Sequence, residues 1–222
     1  MNNRYIKLFG ENFDGYSVFV PRFLNPQKPP EIVFDQLNNP SDELSIEKAA
    51  RYVSLIPHVI DWNAFDEDIS DCWCTDDQFL SLGFGDDEEH AILLCNYFNY
   101  IDKAQNKNVC SYLCLGKAYP EGQTTYVIRI CQSSPDIELW NAKTGDCYYF
   151  DKRYKTTTFL GISVTKSFAN SKAMGVDDMC QMKEIGCIIS DSNVFVNIQE
   201  QADPGLIAFD LKDEKCWKSF LK

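Results

Sequence analysis

Histidine is scarce in this sequence, with only 2 among 222 residues. A cysteine-dependent enzyme would have to draw its base from His58 or His90. His90 precedes Cys95 by five positions in a predicted helix, so the two side chains diverge by more than a quarter turn. These two residues are therefore not expected to form a catalytic dyad.

Long apolar runs are also lacking, since none reaches the roughly 18 to 20 residues that a bilayer span requires. This predicts that the chain does not cross a membrane. Positive charge is in deficit as well, because 21 Lys and Arg face 33 Asp and Glu, which leaves a net charge of -12. A field of that sign repels nucleic acid and anionic lipid, so neither is predicted as a partner, although local basic patches stay open.

The sequence lacks the usual phosphate and metal motifs. The GFG tripeptide that begins at Gly83 has none of the remaining spacing of a phosphate loop, and acidic residues follow it. The pairs Cys72/Cys74 and Cys110/Cys114 lack the Cys-x-x-Cys spacing with a second pair that is typical of zinc sites. No metal and no cofactor are predicted.

The sequence does contain 10 cysteines, which make up under a tenth of the chain and follow no signal peptide. Cys95 and Cys187 lie inside apolar runs, where a free cysteine packs as a small hydrophobic side chain. We therefore predict reduced thiols in a cytosolic compartment.

Three helices are predicted in the first half of the chain. The stretch 41–56 places Leu44, Ala49, Val53 and Ile56 near one helical face, and a short helix is predicted near 76–82. The third helix is central to the fold and follows Asp86.

The acidic run 86–89 could be taken for a cation site, but it has the pattern of a helix N-terminus. Asp86 is predicted to be the N-cap and Glu89 the third residue of a capping box, with the intervening acids at the positive end of the dipole. Ala91, Leu94 and Phe98 then share a face. Capping explains these acidic residues more simply than a bound ion does.

After Val109 the hydrophobic period changes to that of strands. The segments CSYLCLGKAY, TTYVIRIC, DIELWN and CYYFD are separated by turn residues, which predicts an antiparallel meander, and GCIISDSNVFVNIQ predicts a further strand pair. Helices followed by antiparallel strands indicate the α+β class. We predict an extended N-terminal arm over 1–40 and a domain over 41–222, with a loop insertion at 156–183.

Several segments carry a family resemblance, among them KPPEIVFD, TDDQFLSLGFGDDEEHAILLCNYF, PEGQTTYVI, LWNAKTGDCYYF and LKDEKCWKSFL. In this order they resemble the C-terminal transglutaminase-like domain of the coiled-coil and C2 domain-containing ciliary transition-zone proteins. A centrosomal protein has a similar domain. The resemblance implies a transglutaminase-like or papain-like core, with a central helix packed on an antiparallel sheet.

Active members of the wider fold begin the central helix with Gly-x-Cys and an alanine four residues later. Gly85, Asp87 and Ala91 hold that spacing here, so the resemblance implies that Asp87 replaces the nucleophile. The strand pattern His-Ala-Trp is matched from Thr124, which replaces the base. The pattern Leu-Asp-Ala is matched by Trp140, Asn141 and Ala142, so Asn141 is the third member of the triad.

The resemblance thus implies a chain that is no enzyme, because acyl transfer needs a thiolate and an imidazole. A histidine within hydrogen-bond reach of Asp87 would reopen the question of catalysis. The alternative of a cysteine protease or transglutaminase with a displaced nucleophile, Cys95 or Cys114, also stays open.

A degenerate cleft is expected to retain recognition of extended peptides. Its predicted floor consists of Asp87, Thr124, Tyr126, Trp140 and Asn141. In a cytoplasmic protein of the transition zone or centriole, the expected ligands include glutamylated tubulin tails and transition-zone complex subunits.

An acidic tail would need a local basic rim, for which the candidate residues are Lys103, Lys107, Lys152, Arg153 and Lys155. Ordinary solvated side chains are the alternative interpretation of these residues. A rigid docking module without any groove ligand is the alternative function.

Overall fold

One long helix lies across a large antiparallel sheet. The computed structural model describes residues 4–64, 71–132, 136–151, 157–159, 162–164, 170–171 and 180–222. Within these ranges the helices are α1 (Ser45–Ser54), α2 (Asp61–Ala64), α3 (Asp76–Leu82) and α4 (Asp87–Ala104), with a short 3-10 helix at Val20–Phe23. The strands are β1 (Phe9–Glu11), β2 (Ser17–Phe19), β3 (Val109–Ala118), β4 (Gly122–Cys131), β5 (Asp136–Asn141), β6 (Asp146–Asp151), β7 (Thr157–Phe159), β8 (Ile162–Val164), β9 (Asn170–Ser171), β10 (Met182–Ile189), β11 (Val194–Asn197) and β12 (Trp217–Ser219).

The main sheet has eight strands in the order β12-β11-β10-β3-β4-β5-β6-β9, and every neighbouring pair is antiparallel. Strands β3 to β6 are neighbours in both sequence and space, as a meander requires. β10 and β11 form the predicted strand pair. The α+β class and the meander are therefore confirmed.

α4 begins where its capping residues predicted. The Asp86 side chain accepts a hydrogen bond from the Glu88 N–H, and the Glu89 side chain accepts one from the Asp86 N–H. This reciprocal box satisfies N–H groups that have no partner inside the helix. Further along, Ala91 and Phe98 are completely buried, and α4 packs against β3, β4 and α1.

The predicted start of the first helix is wrong, because α1 begins at Ser45 rather than near Ser41. Asp42 instead closes a turn, in which its carboxylate accepts the Leu44 N–H and its carbonyl accepts the Ser45 N–H. Leu44 consequently lies outside the helix and is exposed, whereas Ala49 and Val53 are buried as predicted. A local side-chain turn competed with the helix and displaced its start.

Apolar side chains fill both faces of the sheet. The cluster on the helix side includes Leu93 of α4 and Val127 of β4, and the cluster on the far side includes Ile128 of β4 and Trp217 of β12. Val127 and Ile128 are consecutive, so the alternation of a strand divides them between the two clusters. Both clusters consist of fully buried residues at these positions.

The first forty residues contribute to the helix-side cluster through Val20, Phe23 and Phe34. The boundary at residue 40 between an arm and a domain stays a prediction. The predicted loop insertion over 156–183 lies largely outside the described residues.

Candidate functional site

The start of α4 receives His58 through a short pairing of distant segments. The Val59 N–H donates to the Gly85 carbonyl at 2.8 Å, and the Gly85 N–H donates to the Pro57 carbonyl at 3.3 Å. A Cβ atom at Gly85 would lie 2.7 Å from the Phe79 ring, so the chain can pass here only without a side chain. The pairing holds His58 opposite the first turn of α4.

Asp87 is the centre of the site, and both of its carboxylate oxygens are engaged. Oδ1 lies 2.8 Å from Nε2 of His58 and 2.9 Å from Nζ of Lys143. Oδ2 accepts the hydroxyl hydrogen of Thr124 on β4. A histidine is therefore within hydrogen-bond reach of Asp87, which is the observation that reopens the question of catalysis.

The polar network continues from Lys143 toward the sheet. Lys143 Nζ lies 3.3 Å from Oε1 of Glu121, and the Tyr126 hydroxyl donates to Oε2 of the same carboxylate at 3.3 Å. The Asn141 amide donates to the Tyr126 oxygen at 2.8 Å. Direct contacts thus connect Asp87 to a chain of four further residues, which are Lys143, Glu121, Tyr126 and Asn141.

The charges of this network stabilise one another. Burial alone would raise the pKa of Asp87, but hydrogen bonds from His58 and Thr124 and the charge of Lys143 hold it at about 2. Burial opposes the charged form of Lys143 as well, yet the neighbouring carboxylates raise the pKa of Lys143 above its ordinary value. Asp87 and Lys143 are therefore an ion pair at neutral pH.

The second histidine lies behind the first and supports it. His90 is fully buried, with Nδ1 2.6 Å from the Asp86 carbonyl oxygen and Nε2 3.0 Å from the Ile56 carbonyl oxygen. Its ring centroid is 5.9 Å from that of His58. Because Ile56 directly precedes the Pro57–Val59 segment, His90 helps to position His58 without contacting Asp87.

Three carboxylates, of Asp61, Asp86 and Glu89, meet on the other side of the α4 N-terminus, with ligand oxygens within 4.8 Å of one another. Each already accepts a backbone N–H: Asp61 that of Cys72, Asp86 that of Glu88, and Glu89 those of Asp86 and Cys74. Burial and then the charge of neighbouring acids raise the pKa of Asp86 to about 8, and burial is the main cause that raises that of Glu89 to about 7. These contacts account for the group as a capping structure.

The structure brings together four of the five residues predicted for the cleft floor. Asp87 and Thr124 are in direct contact, and Tyr126 and Asn141 join them through Glu121 and Lys143. The roles of these four residues in binding stay predictions.

Trp140 and the two described lysines lie elsewhere. The Trp140 ring packs edge-on against Phe98, with centroids 5.3 Å apart, in the middle of α4. Lys103 is sixteen residues beyond Asp87 on the same helix, a distance of about 24 Å at about 1.5 Å per residue, and Lys107 follows the helix end. The other three predicted rim residues, Lys152, Arg153 and Lys155, lie outside the described residues.

Sequence reasoning did not place His58, Glu121 or Lys143 near Asp87. Glu121 lies in the turn between β3 and β4, and Lys143 lies in the turn between β5 and β6. In an antiparallel meander alternate turns lie at the same edge of the sheet, so these opposite charges were predictable neighbours. No sequence pattern placed His58 near Asp87, because the two come together through a backbone pairing of His58 with Gly85, 27 residues apart.

The two thiols proposed as displaced nucleophiles are buried on opposite faces of the sheet. Cys95 belongs to the helix-side cluster and Cys114 to the far-side cluster, and burial raises the pKa of both thiols. All ten cysteines are free, and seven of them are buried. Within the described ranges, every helix is too short or too polar to cross a bilayer.

Comparison with known proteins places these features in a family. Residues 71–220 match the family model described as the CEP76 peptidase-like domain. The human protein CC2D2B is 34% identical over 220 residues, which cover 99% of this chain and 13% of that protein.

Two further relatives are more distant. Coiled-coil and C2 domain-containing protein 2A of Drosophila melanogaster is 24% identical over 96% of this chain and 13% of its own length. The centrosomal protein of 76 kDa from Mus musculus is 24% identical over 98% of this chain and 28% of its own length. The chain thus spans less than a third of the length of these curated relatives.

Proposed function

The chain belongs to the CEP76 peptidase-like domain family, and on this premise we propose that it is a non-catalytic protein-binding domain of a cilium-base or centriolar protein. The name of one relative, a centrosomal protein, supports this location in the cytoplasm. The proposed core is transglutaminase-like. The contact of Asp87 at the start of α4 with Thr124 on β4 supports it, because nucleophile and base occupy such positions in active members.

The order of groups around Asp87 carries the proposal of inactivity. A hydrolytic triad places the imidazole between the nucleophile and the carboxylate, so that the imidazole takes the proton of the nucleophile. Here the carboxylate of Asp87 lies between the Thr124 hydroxyl and His58. His58 is therefore bonded to the wrong partner for activating Thr124.

Asp87 itself is a poor substitute for either missing group. A carboxylate with a pKa of about 2 is too weak a base to take a proton from an alcohol at neutral pH. Thr124 is only 1% exposed, so a substrate carbonyl has no access to its hydroxyl. The buried thiols of Cys95 and Cys114 are not suitable nucleophiles either, because nucleophilic attack needs an accessible thiolate.

A peptide cleavage and transamidation assay tests this inactivity. We expect the purified chain to match a buffer blank with amide-bearing peptide substrates. Turnover that His58→Ala removes, while the surface change Lys212→Ala leaves it intact, would overturn the proposal. Labelling of Cys95 or Cys114 by a thiol-directed activity probe would instead favour the displaced nucleophile.

We further propose that the degenerate cleft at Asp87 still binds peptides, and that its ligands are extended acidic peptides such as glutamylated tubulin tails. The positively charged Lys143 beside the partly exposed His58 supports an anionic ligand there. Anisotropy titration should give tighter binding of a glutamylated tail peptide than of its unmodified counterpart, and added salt should weaken it.

Charge reversal tests the proposed rim. Lys152→Glu with Arg153→Glu should weaken binding, whereas Lys212→Glu with Lys215→Glu, the same charge change near the C-terminal end of the sequence, should not. Equal effects of the two double variants would show that only the overall charge matters.

A docking module without a groove ligand is the second candidate, and one observation favours it. The ammonium group of Lys143 already pairs with the carboxylates of both Asp87 and Glu121, so it needs no anion from a ligand. In that case Thr124→Val and Asn141→Ala should leave capture of the native transition-zone partners unchanged. Loss of capture with these variants would favour the groove.

A further inference from the structure

A cavity of about 570 Å³ lies at the opposite half of α4 from Asp87. Its walls are the C-terminal half of α4, the first residues of β3 and the turn between β10 and β11. Its volume is within the range of about 300 to 1,000 Å³ that is typical of ligand sites. Asp87 does not line it.

Two buried polar atoms in its wall have no hydrogen-bond partner in the described part of the chain. They are Oδ1 of Asn96, a residue that is 1% exposed, and Oγ of Ser111, a residue that is 4% exposed. Both residues line the cavity. Buried polar groups normally have partners, so the unpaired acceptor and the unpaired hydroxyl of these two lining residues are the groups that a ligand in the cavity would complete.

The orientation of these groups is fixed by their other bonds. The Asn96 amide nitrogen donates to the Phe23 carbonyl at 3.1 Å and to Asp76 Oδ2 at 2.7 Å, so Oδ1 must be the free acceptor. The Asn99 amide pairs with the backbone N–H and carbonyl of Ser111, each at 2.9 Å. Asn99 thereby holds Ser111 at the wall without engaging its hydroxyl.

The same cavity has basic and apolar lining. Lys103 and Lys107 are exposed, and within the described residues neither forms an ion pair with a carboxylate. Leu24 and Tyr112 provide apolar surface, and Asp191 is the acidic residue of the lining. A fitting ligand therefore has an N–H donor, a group that bonds a hydroxyl, an apolar side chain and a negative charge.

We propose that this cavity binds an acidic peptide segment, with one peptide group at Asn96 and Ser111 and a carboxylate at Lys103 and Lys107. A peptide group supplies both the N–H that Asn96 lacks and a carbonyl that the Ser111 hydroxyl can bond. The inference rests on the proposed peptide-binding role and moves the contact from the cleft at Asp87 to the far half of α4. The polar groups at Asp87 are already paired with one another, whereas those of the cavity are not.

The test uses a fluorescein-labelled heptapeptide of alternating glutamate and valine, with glutamine in place of glutamate as the uncharged control. Anisotropy should show tighter binding of the glutamate peptide. Lys103→Glu with Lys107→Glu should weaken its binding at least tenfold, and the control pair Lys212→Glu with Lys215→Glu by less than twofold. Amide NMR spectra should show a shift of the Asn99 side-chain resonances on titration.

Two further variants separate the cavity from the cleft. Ser111→Ala should weaken binding about fivefold, because one hydrogen bond to the ligand is lost while the folded chain loses none. Thr124→Val, at the Asp87 site, should change the affinity by less than twofold.

Binding that falls only with Thr124→Val would overturn the cavity as the site and leave the proposed cleft in place. Binding that no variant changes would overturn the cavity as well. Failure of both peptides to bind, together with unchanged partner capture by the groove variants, would refute the cavity and favour the docking module.

Discussion

Replacing Asp86 with asparagine should make the protein more stable at alkaline pH. Asp86 is the N-cap of α4, and its oxygen accepts the Glu88 N–H at 3.1 Å. Asparagine is an equally good N-cap, so Asp86→Asn retains this bond while removing a buried charge. Its amide N–H groups also face the acids Glu89 and Asp61, to which they can donate.

The expected gain follows from the pKa of Asp86, which burial and then the charge of Glu89 raise from 3.8 to about 8. The unfolded chain releases this proton near pH 4, whereas the folded chain keeps it, so folding stability falls as the pH rises between these values. At about 1.4 kcal/mol per pKa unit, the upper limit of the loss is about 6 kcal/mol. We expect Asp86→Asn to recover about 3 kcal/mol at pH 8.5, since water and side-chain movement lower the cost of the charge.

Chemical denaturation at several pH values measures this effect. The unchanged protein should be most stable near pH 4 to 5, because Asp87, with its pKa held at about 2, contributes stability that is lost only as the pH falls from about 4 to 2. Above pH 5 the stability of Asp86→Asn should fall less steeply. Asp77→Asn, which removes an exposed acid from the first turn of α3, is the control and should leave the slope unchanged.

The reasoning is refuted if Asp86→Asn is less stable than the unchanged protein at pH 8.5. An unaltered pH slope in this variant would refute it equally, because part of the slope is attributed to that carboxyl group.

Three other changes test the remaining contacts. Lys143→Met should raise the pKa of Asp87 above about 2, measured by carboxyl carbon NMR, because it removes one of the charges that lower it. Asp102→Ala should lower the free energy of unfolding by about 3 to 5 kcal/mol in denaturant titrations, because the buried guanidinium of Arg129 then lacks the carboxylate that it contacts at 2.8 Å. The double change Asp102→Leu with Arg129→Met removes both charges and should recover most of this loss. Ser111→Ala should raise thermal stability, by about 1 kcal/mol, because its buried hydroxyl has no partner within the described residues; a loss would indicate an unseen bond.

Local signals predicted much of the fold. The capping box at Asp86 and Glu89 depends on residues three apart, so α4 was correctly located, and the alternation from Val109 onward correctly gave the meander. Leu44 shows where local reasoning fails, because Asp42 forms a turn that excludes it from α1. The resemblance to a centrosomal and transition-zone domain family is confirmed by the family match.

The candidate site was harder to predict because its members come from distant segments. Asp87 and Thr124 were found through the family pattern, and the structure places them in contact. His58 could not be placed, because the pairing of Pro57–Val59 with Gly85 depends on the packing of α4 and not on sequence spacing. The unpaired atoms of Asn96 and Ser111 could not be inferred either, because pairing is a property of the folded chain.

Three of the groups around Asp87 lie on connecting segments: His58 follows α1, Glu121 joins β3 to β4, and Lys143 joins β5 to β6. The hydrophobic clusters, by contrast, are built mainly from helices and strands. Point changes in these connections can therefore exchange an imidazole, an ammonium or a carboxylate while the architecture persists. The charges that surround Asp87 can thus differ between proteins that share this scaffold, without a change in the residues that stabilise the fold.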